Sequence, residues 1–152
     1  MPSITPGYLY TIVALIAVST LLSVAFLAYT NAFRVSSATS KLKNLMDYVA
    51  AKGTELLTLA LTTNTTAGTF VQMPTTIGDK QYWLQLRNNS AKAWLEGGFG
   101  NTPTQAADFK VYLPQRTSAG GYYLAGYGAA YLECQARNSI LQLNLMSSRN
   151  RD

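Results

Sequence analysis

From Tyr8 to Tyr29 the chain reads YLYTIVALIAVSTLLSVAFLAY, 22 positions without a charge. As a helix this stretch rises roughly 33 Å, about the thickness of a bilayer's hydrocarbon core. Tyr8 and Tyr10 stand at one end and Tyr29 and Phe33 at the other, where interfacial aromatics gather. Pro2 and Pro6 precede it, as suits residues excluded from a helix interior. The run is long for the apolar part of a secretory signal and no basic residue leads into it, while a fully buried core helix would need a larger protein around it. The pattern therefore predicts a membrane-competent helix.

The apolar pattern changes after Tyr29 without a break. Val35, Ala38, Leu42, Leu45, Met46, Val49, Leu56, Leu57 and Ala60 recur at steps of three and four, the stripe of an amphipathic helix. Arg34, Ser37, Lys41, Asn44, Asp47, Lys52, Thr54 and Glu55 occupy the other side. A single helix from Tyr8 to about Leu61 is predicted, ended by Thr62-Thr63-Asn64-Thr65-Thr66 and Gly68; a break near Asn31 is the alternative. The first half is apolar all round and has to be buried in lipid or among other helices. The second half is apolar on one side and fits against a domain of its own chain.

From Thr69 the period becomes two. Gln81–Arg87 places Tyr82, Leu84 and Leu86 on one face, Asn88-Asn89-Ser90 reads as a turn, and Ala91–Glu96 as a partner strand. Gly97-Gly98-Phe99-Gly100 is expected to open a loop reaching Ala107. Phe109–Leu113 is a further strand that Pro114 ends, and Gly120-Gly121 leads into another at Tyr122–Tyr127. Ala129–Ala136 and Ser139–Leu145 form a closing hairpin around Arg137-Asn138, with Leu141, Leu143 and Leu145 on its apolar face. The polar tail Ser147–Asp152 is expected to fray. The expectation is thus an α+β fold: a long N-terminal helix packed, by its second half, on a small antiparallel sheet of six or seven strands. Its segments are 1–34 (apolar helix), 35–61 (amphipathic continuation) and 69–147 (β-rich external domain).

Composition sharpens this picture. Charged residues make up 12% of the 152 positions, about half the usual quarter, and Thr, Ser, Asn, Gly and Tyr replace them. The net charge of +5 comes from basic residues scattered singly, so no nucleic acid is expected as a direct ligand. The positive-inside rule, applied to Arg34, Lys41 and Lys43, would put the C-terminal part in the cytoplasm; the sheet-and-turn composition points outside, and removal of a basic leader would reconcile the two.

Candidate chemistry is thin. There is no His and one Cys, which removes the usual general base, any intramolecular disulfide and an ordinary zinc site. Asp47, Glu55, Asp79, Glu96, Asp108, Glu133 and Asp152 lie far apart, without metal-ligand spacing. Neither catalysis nor a cofactor is expected. The glycines at 97–100 lack a following helix to present to a phosphate. Cys134 reads as a small buried residue, and Trp83, Trp94, Tyr122, Tyr123, Tyr127 and Tyr131 read mainly as sheet core, with a sugar-binding or adhesive face as the other reading. Asn64-Thr65-Thr66 and Asn88-Asn89-Ser90 are sequons in expected turns, making Asn64 and Asn88 candidate N-glycosylation sites.

The apolar helix, its amphipathic continuation and the low-charge β domain together resemble an archaeal type IV pilin-like protein. Met73-Pro74-Thr75-Thr76-Ile77-Gly78-Asp79-Lys80-Gln81-Tyr82 is similar to a segment of the first β-hairpin of such proteins. The resemblance implies an adhesive pilus subunit, inserted in the membrane as a precursor and then extracted into an extracellular homopolymer whose β domains form a surface, often glycosylated. It implies copies of itself as the main partner, with glycans or surface-layer proteins as further candidates. On this chain Ile12, Val13, Leu15, Ile16, Val18, Leu21, Leu22, Val24, Phe26 and Leu27 would be the filament-core contacts. The basic residues and Gly of a pilin leader are absent, unless Gly7 is a relic of one, and so is the glutamate of bacterial pilins, which archaeal relatives commonly lack. The competing expectation is a membrane-resident anchor or stator that grips the envelope or an archaellum-type machine; a ligand-binding or sensor module is a third.

Overall fold

A computed structural model describes residues 6–89, 91–103, 107, 109–114, 117–137 and 140–148. One helix, α1 (Pro6–Thr63), is followed by seven strands: β1 (Ala67–Val71), β2 (Tyr82–Asn88), β3 (Ala93–Phe99), β4 (Phe109–Tyr112), β5 (Thr117–Leu124), β6 (Ala130–Arg137) and β7 (Ile140–Ser147). The fold is α+β, as the patterning predicts. Helix α1 runs through Asn31 without the break that was the alternative. Its residues belong to two compact units, Met1–Ser37 and Ala38–Asp152.

Pro6 opens α1 at the first helical position, where its missing N–H costs nothing. Asn64 closes it with a φ of 50°, the left-handed conformation that ends many helices and that Asn tolerates. Thr62 and Thr63 turn their hydroxyls back onto the Leu59 carbonyl at 3.0 and 2.8 Å, competing with continuation of the helix.

Within the second unit, Leu42, Met46, Val49, Ala50, Leu56, Leu57 and Ala60 are buried in one cluster with the sheet residues Tyr82, Leu84, Leu86, Leu95, Ala119, Tyr123, Leu132, Leu143 and Leu145. The expected stripe therefore packs from Ala38 onward, but Val35 belongs to the first unit and is 54% exposed. Gly53 sits in the same stripe: a Cβ there would lie 3.0 Å from Leu143 Cδ2, so the helix interior carries a glycine where a leucine of the sheet presses on it.

The sheet order is β1-β6-β7-β5-β2-β3-β4. All neighbours are antiparallel except β5 and β7, which pair in parallel from Thr117↔Leu141 to Gly121↔Leu145. The closing hairpin forms as expected, β6 against β7 from Ala130↔Ser147 to Arg137↔Ile140, and Leu141, Leu143 and Leu145 are buried. That hairpin folds back so that β7, the last strand, lies inside the sheet between β6 and β5.

Four expectations need correction. Gly97, Gly98 and Phe99 continue β3 rather than opening a loop, pairing with Leu84, Trp83 and Tyr82. A Cβ at Gly97 would meet Leu84 Cδ2 at 2.8 Å and Met46 Sδ at 3.0 Å, so glycine is required there by close packing of helix on strand, not by a turn. Gly120 and Gly121 lie inside β5, which starts at Thr117 and stops at Leu124; Gly121 has a φ of 97° with the Leu145 carbonyl against it, which only glycine accommodates. Asn88 is the last residue of β2, paired with Ala93, and the turn follows at 89–92, where the Asn89 side chain accepts from the Lys92 N–H at 2.7 Å. Ser147, expected in the tail, ends β7 and is buried. Pro2, Ser90, Asp108, Asn138 and Asp152 lie outside the described residues.

Candidate functional site

The first unit offers apolar surface. All ten residues expected as core contacts are exposed, from Ile12 at 37% to Leu21 at 71%, and none belongs to the domain's core cluster. At 100° per residue, Leu15, Leu21, Val24 and Leu27 point in widely different directions, so the apolar surface surrounds this part of the helix. Fully burying ten such side chains would be worth about 15–30 kcal/mol. That exceeds the whole stability of an ordinary domain, about 5–15 kcal/mol, so water is the wrong solvent for this surface. By length and composition the helix can cross a membrane.

Four of the five Ser and Thr hydroxyls between Thr11 and Thr30 are already satisfied. Thr11, Thr20, Ser23 and Thr30 donate to the carbonyls of Gly7, Ile16, Ser19 and Phe26 at 2.8 to 2.9 Å. A hydroxyl bonded to its own helix can enter an apolar medium at little desolvation cost. Leu15, Ile16, Ser19, Thr20 and Ser23 line a shallow groove of about 410 Å³, open on its outer side.

The two candidate glycan acceptors differ. Asn64 is exposed at the helix end with its side chain clear of any strand. Asn88 lies in the ladder and its amide reaches Ser118 Oγ at 3.5 Å on the neighbouring strand.

The sheet's other face, turned from α1, is polar and aromatic. Here β2, β3 and β4 bring Gln85, Glu96 and Lys110 into register, with Arg87, Trp94 and Tyr112 in the next row. Glu96 is 2% exposed, in ion-pair contact with Arg87 Nε at an angle that is not a hydrogen bond's, and it accepts from Trp94 Nε1 at 3.0 Å. Arg87 also donates to Gln85 Oε1 at 3.2 Å. Lys110 Nζ stands 5.6 Å from the Trp94 ring centre and Lys92 Nζ 5.6 Å from that of Tyr112, within cation–π range. Sequence reasoning missed this constellation, because its members are drawn from three strands spread over residues 85–112 and only the ladder unites them. Of the aromatics expected in the core, Tyr123 and Trp83 are buried, whereas Tyr122 and Tyr127 are about half exposed.

Tyr82 and Tyr123 donate to the carbonyls of Pro74 and Gly128 at 2.7 and 2.6 Å, and burial pushes both phenols above their ordinary range. Cys134 is fully buried, and that burial pushes its thiol up. Among the described residues, no three His, Cys, Asp or Glu side chains come together as a metal site.

No protein-family model matches the chain, and no curated protein or solved structure matches it either.

Proposed function

We propose that this chain is a structural subunit of an extracellular type IV pilus-like filament serving surface attachment, made as a membrane-inserted precursor. The observation that carries the reading is the division of α1. Residues from Ala38 onward are built into a domain with its own buried core, while Ile12 to Leu27 expose apolar side chains on every side. A surface of that kind requires a cover, first lipid and then copies of itself. Packing on more than one side of the helix is heterologous, and heterologous contacts that do not close into a ring continue as a helical polymer. The self-satisfied hydroxyls let the same surface serve in both environments. In this reading no catalysis is involved, and the sheet domains form the filament's exterior.

A second reading keeps the helix in lipid permanently, as the anchor of an envelope-bound protein; the span's length supports it equally. Electron microscopy separates the two. The filament reading expects fibres when detergent is removed from the full chain, and their loss in Leu21→Arg, with the tryptophan emission of the sheet domain unchanged. Dispersed or vesicle-bound particles from the parent chain, with no fibres on native cells, would remove it in favour of the anchor.

A further inference from the structure

We propose that the outer face of strands β5, β2, β3 and β4 binds an extended acidic polysaccharide. The inference concerns the sheet domain alone and holds whether the chain polymerises or stays in a membrane.

Four strands set side by side span about 14 Å from β5 to β4, at roughly 4.8 Å a step. Tyr122 on β5 and Gln85 on β2 are in register, Gln85 faces Glu96 on β3, and Glu96 faces Lys110 on β4. At the β5 end, Tyr122 and Leu124 join Tyr127 and Ser147 around a cleft of about 160 Å³. At the β4 end stand the paired Lys110–Trp94 and Lys92–Tyr112. Tyr112 is 64% exposed and Tyr122 52%, and both lysines are exposed. At Tyr112 an exposed ring beside a cation offers a ligand both a stacking surface and a charge.

Charge selects the ligand. On β2, β3 and β4 of this face, the acid among the described residues is Glu96, which is buried and already held by Arg87. The accessible charge is therefore positive, from Lys92 and Lys110. Each ammonium lies over a ring, and the Glu96 carboxylate across from Lys110 is taken up by Arg87 and Trp94, so both ammoniums remain free to meet an anion. Rings that stack on the apolar faces of sugars, a planar amide at Gln85 and two lysines that form no ion pair among the described residues suit a chain of uronic-acid units. Single-stranded nucleic acid would also use rings and cations. It asks for a denser basic groove than two lysines supply, and the net positive charge here is too small to hold a run of phosphates.

Binding to the full chain in a sugar-free detergent tests this, with polygalacturonate, neutral dextran and a single-stranded oligonucleotide as probes. Polygalacturonate should bind, and dextran and the oligonucleotide at least about tenfold more weakly. Lys92→Gln with Lys110→Gln should weaken polygalacturonate about tenfold, and Tyr112→Ala by a similar factor through lost stacking. Lys41→Gln with Lys43→Gln removes the same charge from exposed positions of α1 and should leave binding unchanged. Tryptophan-monitored melts establish that each variant is folded. The proposal is overturned if polygalacturonate does not bind, if dextran or the oligonucleotide binds as well, or if the helix variants weaken binding as much as the sheet variants.

Discussion

The close packing of α1 on the sheet at Gly97 gives a sharp test of the fold. A Cβ placed there would stand 2.8 Å from Leu84 Cδ2, 3.0 Å from Met46 Sδ and 3.2 Å from the Trp83 carbonyl oxygen. Ordinary carbon contacts are about 3.5–4.0 Å. Gly97→Ala therefore overpacks the interface and should cost about 2 kcal/mol. Met46→Ala, in a fully buried position, should cost about 3 kcal/mol through the cavity it leaves. The two changes are not independent, because removing the thioether vacates part of the space the new methyl needs. The Trp83 carbonyl is backbone and cannot yield, so relief is partial, and the double variant should fall about 1 kcal/mol short of the sum. Urea unfolding of the full chain in detergent reads this directly. Both tryptophans, Trp83 and Trp94, lie in the sheet, so their emission reports the domain and not the apolar helix. Costs that add within about 0.3 kcal/mol, or a neutral Gly97→Ala, would show that Met46 does not bear on Gly97 and that α1 packs elsewhere.

Three further outcomes are expected. Tyr82 and Tyr123 are held neutral by burial, so their contribution to stability is intact below about pH 10, the ordinary phenol value, and is lost as pH rises through their raised folded values; urea midpoints taken from pH 8 to 12 should fall only at the alkaline end, less steeply in Tyr82→Phe. The Cys134 thiol should resist an alkylating reagent at pH 8 in the folded chain and react on unfolding, and rapid labelling without unfolding would contradict its burial. In a host that N-glycosylates, Asn64→Gln should shift the mass of the product and Asn88→Gln should not, because only Asn64 stands clear of the ladder; loss of a glycan in Asn88→Gln alone would reverse that assignment.

How far the residues foretold this molecule differs by element. A helix writes its periodicity within a few residues, so the apolar run, the stripe through Leu42, Met46 and Val49, and the stop at Asn64 were all legible locally. Alternation marked most of β2, β4 and β7 for the same reason. The glycines misled: all four at 97, 98, 120 and 121 lie inside strands, and those at 97 and 121 serve close approaches that depend on Met46 and Leu145, distant along the chain. The polar and aromatic face was hidden likewise, since Gln85, Glu96 and Lys110 become neighbours only through the ladder.

Local order thus decided which segments are helix or strand, and that the N-terminal stretch cannot rest in water. Those properties depend on side-chain polarity at fixed spacing, which the chain carries without folding. Only the tertiary structure decided that β7 enters the middle of the sheet, parallel to β5, between two strands made before it. Strand order is set by which apolar faces can share one cover on α1 while every backbone group finds a partner, and that condition is met by the whole domain at once.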